Sequence, residues 1–153
     1  MATRKTTAPT ASAEAVGVRY IESSALVAAL LEGDADARKS IRARGRKATS
    51  ALTIAEAARA ILRARAAARL TSDQERTAVR ALRRFEQRCF LVAVTDPILA
   101  RVRRPFPLEP IRTLDAVHLA TAELLGEPPA LTVVVTRDRR VRDNAQALGY
   151  AVE

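Results

Sequence analysis

LTVVVTRD, Leu131 to Asp138, is the stretch whose reading decides the fold. Its apolar run, Leu131–Val135, is nearly all β-branched, as in a strand buried on both faces, and such strands belong to parallel sheets covered by helices. Thr136–Arg137–Asp138 forms its exit, and a helix from Arg139 to Leu148 follows, stopped by Gly149 before a last short strand at Tyr150–Val152. Upstream, Gly126–Pro129 ends a helix running from Arg112 to Leu125, with Leu114, Val117, Leu119 and Leu124 apolar. Before it, the three prolines of Arg104–Pro110 demand an extended loop.

The rest of the chain repeats the alternation. Phe90–Val94 reads as a buried strand, and Thr95–Asp96–Pro97 as a cap, Asp96 included, opening a short helix to Arg103. Ser72 and Glu75 have capping-box spacing, so a helix should run from there to about Arg88. A long helix is expected from Thr53 to Arg69, preceded by a short strand at Lys47–Ser50 and by a helix from Asp34 to Arg44 that Gly45 stops. The first strand, Val18–Ile21, runs into Glu22–Ser23–Ser24, whose hydroxyls can cap the helix carrying Ala25, Leu26, Leu30 and Leu31. Strand and helix alternating throughout give an α/β domain over residues 18–153, behind a flexible N-terminal tail of residues 1–17.

Composition narrows the function. At 153 residues and 48% hydrophobic, the chain can bury one core. Arginine interrupts every long Ala/Leu stretch, so no span reaches the 18 or so apolar residues of a membrane helix, and no secretory signal is expected, since no apolar run follows the basic, small-residue start. A single cysteine, Cys89, cannot form an internal disulfide, which fits the cytoplasm. The net charge of +9, mostly from arginine, fits a polyanionic partner such as nucleic acid, and fits equally a solvated arginine-rich surface. With aromatic residues at 3% and no tryptophan, base stacking is a poor means of nucleic-acid recognition, so shape and backbone contact must carry more.

Four acids stand out. Glu22 and Asp138 directly follow buried strands, at the sheet edge where open parallel sheets bind ligands. Glu56 lies in TIAEAAR and Asp115 in RTLDAVHLATA, both among apolar residues on helices where a carboxylate is costly unless a cation neutralises it. Any one of them is also explained as a helix cap or an arginine partner. Together they form a convergent oxygen set of the kind that holds Mg2+ or Mn2+.

In order, RYIESSALVAALLEGD, TSALTIAEAARAI, RTLDAVHLATAELLG and VVVTRDRRVRDNAQALGY resemble the PIN domain, in particular VapC-type ribonuclease toxins of bacterial toxin–antitoxin pairs. The resemblance covers Arg19 to Val152. It implies a three-layer α/β/α domain with a five-stranded parallel sheet of order 3-2-1-4-5, which would set Glu22 and Asp138 side by side. It implies Glu22, Glu56, Asp115 and Asp138 as catalytic and metal-binding residues, with Thr136 and Ser24 as supporting polar positions. It further implies Mg2+- or Mn2+-dependent hydrolysis of a structured RNA such as tRNA or ribosomal RNA, leaving 5′-phosphate and 3′-hydroxyl ends, a cognate VapB-type antitoxin, and a homodimer. Ala-rich helices with small apolar surface agree with the dimer. The family's first acid is usually Asp, and the extra methylene of Glu22 is expected to carry the carboxylate outward.

His118 is expected to pack or hydrogen-bond rather than to act as a base. Asp143 is expected to pair with Arg139 or Arg140 rather than to join the acids. Arg112, Arg137, Arg139 and Arg140 could grip RNA phosphates or an acidic antitoxin tail. Two other readings compete with the toxin: a basic, non-catalytic nucleic-acid-binding module, and a housekeeping or DNA-directed nuclease on the same fold.

Overall fold

A computed structural model describes residues 17–153; apart from Gly17, the expected tail lies outside the described residues. The elements run β1 (Val18–Ile21), α1 (Ser23–Leu31), α2 (Ala35–Arg42), β2 (Arg46–Ser50), α3 (Ala51–Ala66), α4 (Ser72–Glu86), β3 (Phe90–Val92), α5 (Asp96–Val102), α6 (Thr113–Glu123), β4 (Thr132–Val135), α7 (Arg139–Ala147) and β5 (Ala151–Val152). The five strands form one sheet of order β3-β2-β1-β4-β5, with every neighbouring pair parallel. This is the order the resemblance implied.

Side chains alternate across the central strands and so divide the core in two. Tyr20 of β1 and Val134 of β4 point into a cluster closed by Ile98 of α5, Leu119 and Ala120 of α6, and Val141 and Ala145 of α7. Their neighbours Ile21 and Val135 point the other way, onto Ala25 and Leu26 of α1, Ala57 and Ile61 of α3, and Leu82 of α4. Helices therefore cover both faces, which is why these strands could be apolar at consecutive positions. Between β1 and β4 the chain's direction of travel across the sheet reverses: β1 leads outward to β2 and β3, while β4 leads outward to β5. Such a reversal leaves a crevice at the carboxyl edge, because the connections from the two strands depart to opposite faces.

Several local expectations are corrected. Helix α4 is capped by Thr71, not Ser72, and the box is completed by the Gln74 side chain rather than Glu75. Asp96 is the first residue of α5 and Thr95 takes the cap position, with no side-chain cap bond. Helix α3 begins at Ala51 with Ser50 as cap and ends at Ala66, because Ala68 takes a positive φ that breaks the helix. Strand β3 stops at Val92 and is not buried: it is the sheet's edge, where Phe90 is 65% exposed and Leu91 40%. Leu131 lies in a 3-10 turn, Pro129–Leu131, and β4 starts one residue later. Gly45 has a structural reason: at φ +122°, a Cβ there would stand 2.7 Å from the Gly17 carbonyl oxygen and 3.0 Å from Arg19 Cγ. Among the described residues, no helix is long and apolar enough to cross a membrane.

Candidate active site at the carboxyl edge of the sheet

Glu22 leaves β1 at this crevice, and it is the Glu22 side chain, not a serine hydroxyl, that caps α1. Glu22 is 3% exposed, and its side chain does not extend outward. Oε1 accepts from Ser23 Oγ at 2.6 Å and from the Ser24 amide at 3.0 Å; Oε2 accepts from Ser24 Oγ and from Thr136 Oγ1, the latter at 2.7 Å. The hydroxyl oxygens in turn accept from the chain leaving β4: Ser24 Oγ from the amides of Arg137 and Asp138 (2.8 and 3.0 Å), and Thr136 Oγ1 from Asp138 (3.0 Å). Three side chains, Glu22, Ser24 and Thr136, thus lock the ends of β1 and β4 together.

Asp138 caps α7, its Oδ1 accepting from the amides of Arg140 (2.7 Å) and Val141 (3.2 Å), which leaves Oδ2 out of the cap. Both strand-end acids therefore satisfy helix N-termini, where the helix dipole favours negative charge. Capping and a role at the site are not exclusive.

Asp115, in the first turn of α6, is different. Its Oδ2 is buried and has no hydrogen-bond partner. Burial lifts its carboxyl pKa above the ordinary range, and the charges of Asp138 and Glu22 lift it further; Arg112 and His118 offset only part of this. Glu56, on α3, is held by His118, whose Nε2 lies 2.7 Å from Oε2. Burial alone would raise the Glu56 pKa, but the hydrogen bond with His118 and the positive charge of Arg63 outweigh it and hold the pKa below the ordinary value. His118 also lies 3.8 Å from Glu22 Oε1, so one imidazole connects the first two acids. It is a buried, hydrogen-bonded histidine, as its sequence context implied.

The structure brings the four acids to one edge without closing a cage. Among the described residues, no three His, Cys, Asp or Glu side chains stand close enough to surround an ion, because Glu22 and Glu56 direct their oxygens to hydroxyls and imidazole. An oxygen-rich set with an orphaned carboxylate atom and uncompensated negative charge nonetheless fits a hard divalent cation.

The flanking arginines separate. Arg137 is committed to the fold, donating from Nε to Asp34 Oδ2 at 2.8 Å and from Nη1 to the Thr136 carbonyl at 3.4 Å. The Arg139 side chain is 92% exposed and sits 3.6 Å from Asp143 across one turn, which assigns Asp143 to a surface pair. Arg112 and Arg140 are exposed beside the acids. Sequence reading missed Tyr20 and Ser23. The signal for Tyr20 was a phenol inside a buried strand, which must find a partner; Ser23 gave none beyond its capping propensity.

The sequence pattern of the PIN domain matches residues 19–147. Ribonuclease VapC46 of Mycobacterium tuberculosis is 39% identical over 135 residues, covering 87% of this chain and 94% of that one. Among solved structures, PAE2754 from Pyrobaculum aerophilum superposes with a TM-score of 0.61 at 24% identity, over 90% of this chain and 84% of that one. VapBC2 from Rickettsia felis, bound to a DNA fragment from their promoter, superposes with a TM-score of 0.59 at 11% identity, over 89% and 97%. Both structures share the fold. With the strand order, the four acids and a relative this similar along nearly its whole length, the chain belongs to the PIN domain family, of the VapC type.

Proposed function

We propose that this chain is a Mg2+- or Mn2+-dependent endoribonuclease and the toxin of a VapBC-type pair, working in the cytoplasm on a structured RNA such as tRNA or ribosomal RNA. The observation that carries the chemistry is the orphaned, charge-crowded Asp115 carboxylate beside Asp138 and Glu22 at the sheet's crevice. The activity class rests on family membership and on the ribonuclease name of a relative 39% identical. Asp115 and Asp138 are the acids with an oxygen to offer a cation, with Glu22 next to them and Glu56 in the outer position. When bound, a divalent ion would activate water and neutralise charge building on the phosphate. The protein's part is to hold the acids in place: the Ser24–Thr136 hydroxyls fix Glu22 against the exit of β4, and the α7 cap fixes Asp138. Exposed Arg112, Arg139 and Arg140 attract the RNA backbone.

A VapB-type antitoxin is the expected partner. A groove of about 690 Å³ between α1, α2 and α4 has an apolar floor that includes Leu30, Ile41 and Phe85 and a rim that includes Arg42, Arg84 and Arg88. Its complement is an acidic, amphipathic segment. A homodimer completes the reading, since Phe90, Leu91, Val94 and Leu99 are exposed near the β3 edge.

The test is cleavage of cellular RNA by purified protein with Mg2+, with Mn2+ and with chelator, alongside Asp115→Asn and a DNA competitor. Metal-dependent RNA cleavage abolished by Asp115→Asn is expected. RNA binding without cleavage returns the chain to a binding module, and preference for DNA to a DNA-directed nuclease.

A further inference from the structure

We propose that His118 is a positioning residue of the cleavage site: its imidazole, held from behind by Tyr20, fixes the Glu56 carboxylate beside Glu22. The inference rests on the endoribonuclease reading and assigns a task within that site. His118 follows Asp115 by three residues and so lies one turn further along the same side of α6. It is 1% exposed and cannot itself meet RNA, which excludes it as a base acting on substrate.

Both ring nitrogens are engaged. Nε2 lies 2.7 Å from Glu56 Oε2, and Nδ1 lies 3.0 Å from the Tyr20 hydroxyl. A carboxylate only accepts, so Nε2 must carry a hydrogen. In a neutral ring, Nδ1 then accepts from the Tyr20 hydroxyl. Tyr20 is fully buried in β1, so the ring's orientation is set by the middle of the sheet and transmitted through it to α3. Glu56 needs this, because it arrives from a different helix and its side chain is 26% exposed. Without a fixed donor, a glutamate in that setting samples several rotamers. Partners that orient a site carboxylate in this way matter nearly as much as the carboxylate itself.

A histidine kept only for stability would behave differently from one that aims Glu56, and side-chain length separates them. A glutamine amide reaches about as far as Nε2, whereas an asparagine amide reaches only as far as Nδ1. On an RNA substrate with Mg2+, His118→Asn is expected to lower kcat by roughly 10- to 100-fold with KM nearly unchanged, and His118→Gln to stay within about 3-fold of the parent. In a Glu56→Gln background, followed in single turnovers, His118→Asn should cost less than about 2-fold more, since the partner is already lost. The chain has a single histidine, so the long-range 1H–15N spectrum of the untagged, metal-free protein reports one ring. Nε2 should bear the proton and shift in Glu56→Gln, while Nδ1 should shift in Tyr20→Phe.

Full kcat in His118→Asn, equal losses in Asn and Gln variants, an undiminished loss in the Glu56→Gln background, or a bare Nε2 would each overturn the proposal. If His118→Asn does not fold, Tyr20→Phe takes its place, with several-fold lower kcat expected and unchanged kcat overturning. A parent protein that cuts no RNA would remove the functional reading, while the imidazole spectrum would still decide whether His118 holds Glu56.

Discussion

Asp115 is the residue where the chain resists its own charge. Its folded pKa is raised by burial, Asp138 and Glu22, so the folded chain holds this proton more tightly than the unfolded chain does. The resulting destabilisation is absent below the unfolded value, about 3.9, and grows as pH rises to and through the raised folded value. Asp115→Asn should therefore abolish cleavage yet raise the melting temperature of the metal-free protein at pH 7 by about 2–4 °C, as scanning calorimetry would show. A lower melting temperature would mean that Asp115 is already compensated. Much of this was readable: an acid amid Leu114, Ala116 and Val117 on a helix is out of place in any solvated pattern. The hydrogen bonds of Tyr20 and Ser23 were not, because their partners His118 and Glu22 include one lying 98 positions away from Tyr20.

At the scale of elements, three helices make separate predictions. Asp34 caps α2 and receives Arg137, which lowers its pKa to about 2 through the Arg137 and Ala37 hydrogen bonds. A depressed carboxyl stabilises the fold above its unfolded pKa and loses that contribution as pH falls through the folded one. Urea unfolding should thus show Asp34→Asn less stable than the parent at pH 7, with the gap narrowing below about pH 4 and closing toward about 2. In α3, Ile61 is 1% exposed and its neighbour Leu62 is 48% exposed. Ile61→Ala should cost about 2–4 kcal/mol, and Leu62→Ala within about 0.5 kcal/mol. Helical spacing alone admits both Ile61 and Leu62 to the core, since the width of the buried stripe depends on what packs against it. At the end of α4 and in the turn after it, Arg84→Glu with Arg88→Glu should weaken inhibition by the antitoxin in an RNA cleavage assay while leaving the free toxin active. Unaltered inhibition would place the antitoxin elsewhere.

For the whole molecule, a net charge of +9 implies RNA affinity that falls steeply with salt, and removing the exposed Arg139 by Arg139→Ala should reduce the log–log slope by about 1. Sedimentation at micromolar concentration should find a dimer, and a monomer there would leave the exposed β3 edge unexplained. The sequence by itself determined the α/β class and the approximate place of every strand and helix, and it singled out four acids as candidates, because these follow from periodicity, caps and misplaced charge, all local properties of the chain. The strand order came from likeness to a family, since periodicity does not say which strands pair. Only the tertiary structure decided that β3 is an exposed edge, that Glu22 turns inward onto hydroxyls, that Arg137 serves Asp34, and that Asp115, of the four acids, is left with an unmet buried oxygen. Each of these depends on which groups from remote segments arrive at the same point, and hydrogen bonding and charge compensation act only at contact distance.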